Sequence, residues 1–542
     1  MRDDVLNPTR NSAMTLEGSS TPWAYWAIRH LFRNALRVFY GNIVLEGVEN
    51  IPQRGVPCIL CPNHSNSLMD SLLVCTQIPS ERREFIRPVA KSTLWGKRNF
   101  GSWLVENTGA VPIKRRRDFD NAPMDNTESM RKIVEALELG DMILMFPEGV
   151  SRYHPSMSPL KTGVARIVSD VLSRNRDNLE FDVTVATCSI TYTHREHFRS
   201  DVLVTFHPPM VFNPKTNPDL LSPITEDSVR AVTERMRQSI SSGTWDAPSW
   251  KVLRAAQLAA NIYAPLGARM SLGNHVRLVK LFVETFKSLH AENEEEIATL
   301  ELEEDLNVSH AVFGRANTLD YSHSQEYQDQ LSRLGLTDSL IHALSSRTTV
   351  VRLLLHLVWG ATLGVLTLPG LLQCTYAHPG RTYAHRNSLE QSPASDTWDE
   401  IAEIKVSSGV VASIPVWIFA SLGGLLYSSY APIAVTIVMW IALRWMEDAV
   451  ASLRSAAVLG RLFLTTESVL EELRSTREDI RCRIFAIATR KLALPGDPET
   501  SLAGSGMDGL ADISRYFSVL RRRKRRYSGS MTRQTILRRT HR

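Results

Sequence analysis

Cysteine is scarce in this chain. The 542 residues hold six, none in paired spacing, which excludes a disulfide framework and points to a reducing compartment. A secretory leader is not expected either, because Met1-Arg2-Asp3-Asp4 is polar and no apolar core with a small-residue cleavage site follows. Membrane targeting is therefore expected to be internal. The third absence is a large charge of one sign: 62 Lys and Arg stand against 57 Asp and Glu, a net charge of +5. That balance gives no electrostatic footprint for nucleic acid, and the one strong basic run, Arg521 to Arg526, lacks aromatic interleaving or a recognisable module. Nucleic acid is not an expected partner; the run can serve as a contact for anionic lipid headgroups, the favoured reading, as a sorting or nuclear-type signal, or as a disordered tail. Metal is not expected either. Cys58-Ile59-Leu60-Cys61 with His64 has no second Cys/His pair at zinc-site spacing, so the two thiols read as core.

Present instead is 43% hydrophobic sequence in a chain too long for one ordinary domain. Residues 1–46 contain Trp23 to Tyr40, where aromatics alternate with Arg29, Arg33 and Arg37 at four-residue spacing. This predicts an amphipathic helix, lying in a membrane interface or docked on the next domain. Residues 47–215 alternate strand-like runs (Val56 to Cys61, Ile86 to Ala90, Gly109 to Ile113, Asp141 to Phe146, Val183 to Tyr192, Val202 to Phe206) with helix-like segments. That pattern predicts an α/β layered sheet flanked by helices. Residues 216–347 read as a mostly helical accessory region, with Glu292 to Asp305 as a solvated helix face and a chance glycosylation triplet at Asn307.

Residues 348–445 hold two apolar segments, 353–372 and 410–443. At about 1.5 Å per residue each is long enough for a bilayer core of about 30 Å, so transmembrane helices are expected there, the second as one kinked span or a hairpin. Two crossings would leave the basic segments on the cytosolic side, put residues 375–405 in the lumen, and make 446–542 a cytosolic helical segment with a basic tail.

The chemistry starts at Asn63-His64-Ser65-Asn66-Ser67-Leu68-Met69-Asp70, directly after an apolar strand-like run. The C-terminal end of a strand is where α/β sheets place their sites. There His64 can act as a general base on a hydroxyl, with Asp70 fixing its tautomer. On a continuous helix six residues would place the two side chains on different faces, so His64 must lie in the turn before the helix. Ser67 is a candidate N-cap, and Asp70 could simply reach back to a backbone amide. Two further strand ends carry Gly109-Ala110-Val111-Pro112-Ile113-Lys114-Arg115, whose guanidinium can grip a phosphate, and Phe146-Pro147-Glu148-Gly149-Val150-Ser151-Arg152. Glu148 could accept substrate hydroxyls or pair with Arg152.

Taken in order with Leu160-Lys161-Thr162-Gly163-Val164-Ala165-Arg166, these motifs resemble the glycerolipid acyltransferases that use acyl-CoA. Thr191-Tyr192-Thr193-His194-Arg195 and the residues to Ser200 look like the fungal glycerol-3-phosphate and dihydroxyacetone-phosphate branch. The resemblance implies an acyltransferase-type sheet followed by helices and C-terminal transmembrane helices. It makes His64 and Asp70 catalytic and assigns Arg115 to the acceptor phosphate. Glu148 and Gly149 would shape the acceptor site, bordered by Lys161 and Gly163. The implied reaction passes a fatty acyl group from acyl-CoA, a co-substrate with no further cofactor, to glycerol-3-phosphate or dihydroxyacetone phosphate. A lysophospholipid acceptor is the second reading and a non-catalytic membrane scaffold the third. The implied setting is the endoplasmic reticulum membrane, with the catalytic domain facing the cytosol and membrane lipids as partners. Two departures stand out: five residues rather than four separate His64 from Asp70, and Val185-Ala186-Thr187-Cys188 lacks the usual proline.

Overall fold

The computed structural model describes residues 18–98, 100–115, 118–119, 123–195, 200–264, 271–302, 321–334, 336, 338, 346–367, 401–492 and 494. Arg116 and Arg117, the glycosylation triplet, residues 368–372, the expected lumenal loop up to residue 400 and the basic tail lie outside them. The chain divides into two compact units: residues 1–152 with 158–243, and residues 153–157 with 244–542.

The first unit is built on one mixed sheet of eight strands: β1 (Ile43–Glu46), β2 (Cys58–Pro62), β3 (Arg87–Lys91), β4 (Val111–Ile113), β5 (Met142–Leu144), β6 (Val183–Tyr192), β7 (Val202–Phe206) and β8 (Met210–Phe212). Their order is β1-β7-β6-β2-β5-β3-β4, with β8 paired to β6. β2 is central, parallel to β6 on one side and β5 on the other, and all five of its residues are buried. A continuous apolar run is what a strand covered on both faces requires. β3 and β4 extend the parallel set, whereas β7 and β8 run antiparallel to β6. The C-terminal ends of β2, β3, β4, β5 and β6 consequently share one edge of the sheet, where the expected motifs collect.

Helices α1 (Trp23–Phe39), α2 (Ser67–Gln77), α3 (Phe100–Asn107), α4 (Thr127–Glu138), α5 (Gly163–Arg174) and α6 (Glu226–Ser241) complete this unit. On one face Ile133 and Leu137 of α4, Val164, Val168 and Val171 of α5, and Val229, Val232 and Met236 of α6 form a buried core with Ile59, Ile143 and Val185. Each such side chain contributes about 1.5–3 kcal/mol of burial. Because α6 supplies part of this core, the first unit runs to Gly243, past the expected boundary at residue 215. Arg29 of α1 is turned inward and donates to the carbonyls of Ile78, Arg83 and Glu84. A four-residue repeat drifts about 40° per step, which carries Arg29 into the core and leaves Arg37 exposed. Trp23 and Trp26 stay outside, 70% and 56% exposed.

The second unit is helical: α7 (Trp250–Tyr263), α8 (Leu272–Leu302), α9 (Tyr321–Leu334), α10 (Ser346–Leu366), α11 (Ile401–Leu425), α12 (Ala431–Leu464) and α13 (Glu467–Arg490). Asp338 accepts from both Tyr327 and Arg477 at 2.7 Å, fastening α13 to the α9 region. The 410–443 segment is a hairpin: α11 ends at Leu425, α12 begins at Ala431, and Trp417 donates to Thr436 at 2.8 Å. Among the described residues no helix is long and apolar enough to cross a membrane. The crossings expected near 353–372 and within 410–443 are therefore not met by any described helix. Large apolar side chains nevertheless face outward there, among them Leu355, Val358, Phe419, Leu422, Ile433 and Val438.

Candidate active site

His64 stands two residues beyond β2, in the turn before α2, as the spacing requires. Its Nδ1 lies 3.0 Å from Oδ2 of the fully buried Asp70. The same oxygen accepts the amides of Ser65 and Asn66, each at 2.8 Å, and Oδ1 accepts the Tyr192 hydroxyl at 2.6 Å. Every one of these partners can donate, so Asp70 is an ionised acceptor. His64 must then carry its proton on Nδ1, which leaves the Nε2 lone pair for a substrate proton. The five-residue spacing closes because the chain turns through Asn66, the residue before the helix, and through Ser67 at φ 45°. Asn66 thus takes the N-cap place expected for Ser67. Asp70 does reach back to backbone amides, and the same oxygen orients the imidazole.

The turn after β5 packs against this loop. Phe146 stacks on the His64 ring with centroids 4.0 Å apart. Glu148 is buried, and its two oxygens accept the amide of His64 at 2.6 Å and that of Ser158 at 2.9 Å. Burial raises its carboxyl above the ordinary range, an effect the two amides oppose. Glu148 is therefore a brace between the His64 loop and the segment leading to α5, and the expected pairing with Arg152 is not formed. Ser151 Oγ accepts the Ser67 amide at 2.9 Å, giving the two turns a second tie. Gly149 has φ 72°, and the exposed Lys161 lies across it. Gly163 is the first residue of α5 and is open to solvent.

Arg115 stands apart from this group. It follows β4, three strand positions from β2 at the same sheet edge, or about 14 Å at about 4.8 Å per strand. Its guanidinium makes a two-pronged pair with Asp118 at 2.8 and 2.9 Å. A phosphate would have to share or displace that carboxylate. Tyr192, Tyr40 and Arg195 are neighbours that local pattern does not disclose. Tyr40 accepts from Asn66 Nδ2 at 3.2 Å, and Arg195 donates to the carbonyls of Ser65 and Arg152 at 3.4 Å. They lie 26 to 130 residues from their partners. Among the described residues no group of three or more His, Cys, Asp or Glu is placed to hold a metal ion.

The site is thus an oriented imidazole at the end of parallel strands, with cations on the same edge. Residues 42–191 match the family model described as Acyltransferase. Glycerol-3-phosphate O-acyltransferase 2 of Saccharomyces cerevisiae is 22% identical over 457 residues, covering 65% of this chain and 58% of that protein. An uncharacterized acyltransferase of Schizosaccharomyces pombe is 23% identical over 369 residues, 68% of this chain and 50% of that protein. A chloroplastic 1-acyl-sn-glycerol-3-phosphate acyltransferase of Brassica napus is 25% identical over 129 residues, 23% of this chain and 33% of that protein. The chain therefore spans about half the length of the two fungal relatives. The stretch matched by the family model contains all four motifs, the His64–Asp70 pair among them, and over those residues the chain is similar to the acyltransferase family.

Proposed function

We propose that the chain is a membrane-attached O-acyltransferase that passes a fatty acyl group from acyl-CoA to a hydroxyl of glycerol-3-phosphate or dihydroxyacetone phosphate. The observation that carries this reading is the His64–Asp70 pair at 3.0 Å, braced by Glu148 within an acyltransferase-family domain. His64 Nε2 takes the proton of the acceptor hydroxyl while the oxygen attacks the thioester carbonyl. The tetrahedral oxyanion then collapses, the carbon–sulfur bond breaks, and the imidazolium returns its proton to the leaving thiolate. Backbone amides of the motif turns are the natural oxyanion donors. Arg115, with Lys161 on the same sheet edge, supplies positive charge for the acceptor phosphate. No metal enters this scheme.

Each unit offers a surface suited to lipid. In the first, Trp23, Trp26 and Trp103 are exposed, and the rings of Trp23 and Trp103 lie 6.0 Å apart. Exposed tryptophan favours the headgroup level of a bilayer. In the second, the outward apolar side chains of α10, α11 and α12 exceed what a water-facing surface usually carries. The endoplasmic reticulum, with the catalytic domain on the cytosolic side, is the proposed setting.

The test is acyl transfer from labelled palmitoyl-CoA by membranes expressing the chain, with glycerol-3-phosphate, dihydroxyacetone phosphate and lysophosphatidate offered separately. Either of the first two acceptors should be preferred, and His64→Ala should lower turnover at least about a hundredfold, general-base catalysis being worth about 10²–10⁴. Turnover with lysophosphatidate alone would move the chain to the second acylation, the activity in the name of the Brassica napus relative. Absence of turnover with all three would leave a scaffold.

A further inference from the structure

We infer that Tyr192 is a positioning residue of the acid–base pair: its hydroxyl donates the bond that keeps Asp70 ionised and turned toward His64. The inference rests on the acyl-transfer reading for its consequence in turnover, but its geometry stands alone. Asp70 is fully buried, and among the described residues the ion pair found for it is the one with His64. A buried carboxylate is tolerable only when its lone pairs are met by donors. Three N–H groups converge on Oδ2, from His64, Ser65 and Asn66. Oδ1 has the Tyr192 hydroxyl at 2.6 Å. Loss of that hydroxyl would leave one carboxylate oxygen without its donor and allow the group to turn or take up a proton.

Tyr192 is itself well held. It closes the buried strand β6, and its ring packs against Tyr40 with centroids 5.8 Å apart. Tyr40 in turn accepts from Asn66, whose amide is one of the Asp70 donors. Burial pushes the phenols of Tyr192 and Tyr40 well up, so both keep their protons throughout the neutral range. Among the described residues the other titratable groups facing the pair are Glu148 at the His64 amide, Cys188, whose thiol burial and the Asp70 charge push up, and Arg195 at the Ser65 carbonyl. None of these replaces a donor on Oδ1.

Tyr192→Phe keeps the ring and removes only the donor. The anionic pair loses stabilisation relative to its singly protonated form, so protonation that silences the base should set in at higher pH. Two readouts on the full chain are needed. In acyl transfer, kcat should fall at least about tenfold with KM within about twofold, as expected for a bond to a charged group worth about 1.5–3 kcal/mol. In carbethoxylation with diethyl pyrocarbonate, followed by mass spectrometry on the His64 peptide, the acidic limb should move up by about one pH unit. Adding Tyr192→Phe to Asp70→Asn should cost nothing further, since the partner it serves is already gone. An unmoved carbethoxylation limb, or a double variant whose losses multiply, overturns the inference, including where Tyr192→Phe merely lowers the melting temperature. If the unaltered chain transfers no acyl group, the proposed function fails while the carbethoxylation limb still decides the role of Tyr192.

Discussion

Gly149 shows how narrowly single residues are set at this site. Its φ of 72° suits glycine, and an added Cβ would come within 2.6 Å of Lys161 Nζ and 2.9 Å of its Cδ. The left-handed backbone costs an L-residue about 1–2 kcal/mol, and the lysine stem must swing aside as well. Gly149→Ala should therefore leave the fold intact but about 1–2 kcal/mol less stable, and acyl transfer should drop as Lys161 loses its seat. Turnover equal to that of the parent would show that Lys161 does not serve the acceptor. The same residues show what local sequence can carry. His64, Asp70 and the brackets around Glu148 and Lys161 fall within a few positions of one another or at strand ends, so their address was legible. The partners that complete them were not. Glu148 is taken up by amides 84 and 10 residues away, and Tyr192 meets Asp70 across 122 residues. Such pairings are made by β5 and β6 lying on either side of β2 in the sheet and leave no periodic trace.

Among the elements, strands with continuous apolar runs were legible to within two residues: β6 and β7 fall where expected, and β2, β3 and β5 shift by one or two positions at their ends. β1 and β8 escaped because they are short edge pieces of four and three residues whose pairing depends on β7 and β6. Helix α1 was legible as amphipathic, but which side of it faces the protein was not. The deciding residue is Arg29, only 4% exposed, whose guanidinium bonds to three carbonyls, one of them Arg83 O at 3.2 Å. A buried carbonyl left without a donor costs about 1–3 kcal/mol. Arg29→Met should destabilise the first unit by about 3 kcal/mol or more, read as a lowered urea midpoint and faster proteolysis between α1 and β1. A change under about 1 kcal/mol would mean that α1 is held by its apolar face alone. The exposed Trp23 and Trp26 would be untouched in this variant, so binding to anionic vesicles separates docking from lipid contact.

At the scale of the molecule, one buried group in each unit responds to acid in the opposite sense. In the helical unit His275, at the start of α8, is buried, and burial lowers its imidazole to about 4. The unfolded chain binds that proton at an ordinary value of about 6.5. Between those limits the unfolded state holds more protons, so stability falls as pH drops from about 6.5 toward 4, by about 2 kcal/mol at pH 5. In the sheet unit Glu148 is raised by burial, so the folded state binds its proton more readily than the unfolded one. Its contribution therefore improves as pH falls. Hydrogen exchange on the full chain should then show α8 losing protection between pH 7 and pH 5, after correction for the intrinsic exchange rate, while β2 and β6 hold theirs. His275→Gln removes the titrating group, and the loss in α8 should largely disappear. If α8 in the variant loosens as much as in the parent, the acid lability of the helical unit has another source and the buried imidazole is a bystander.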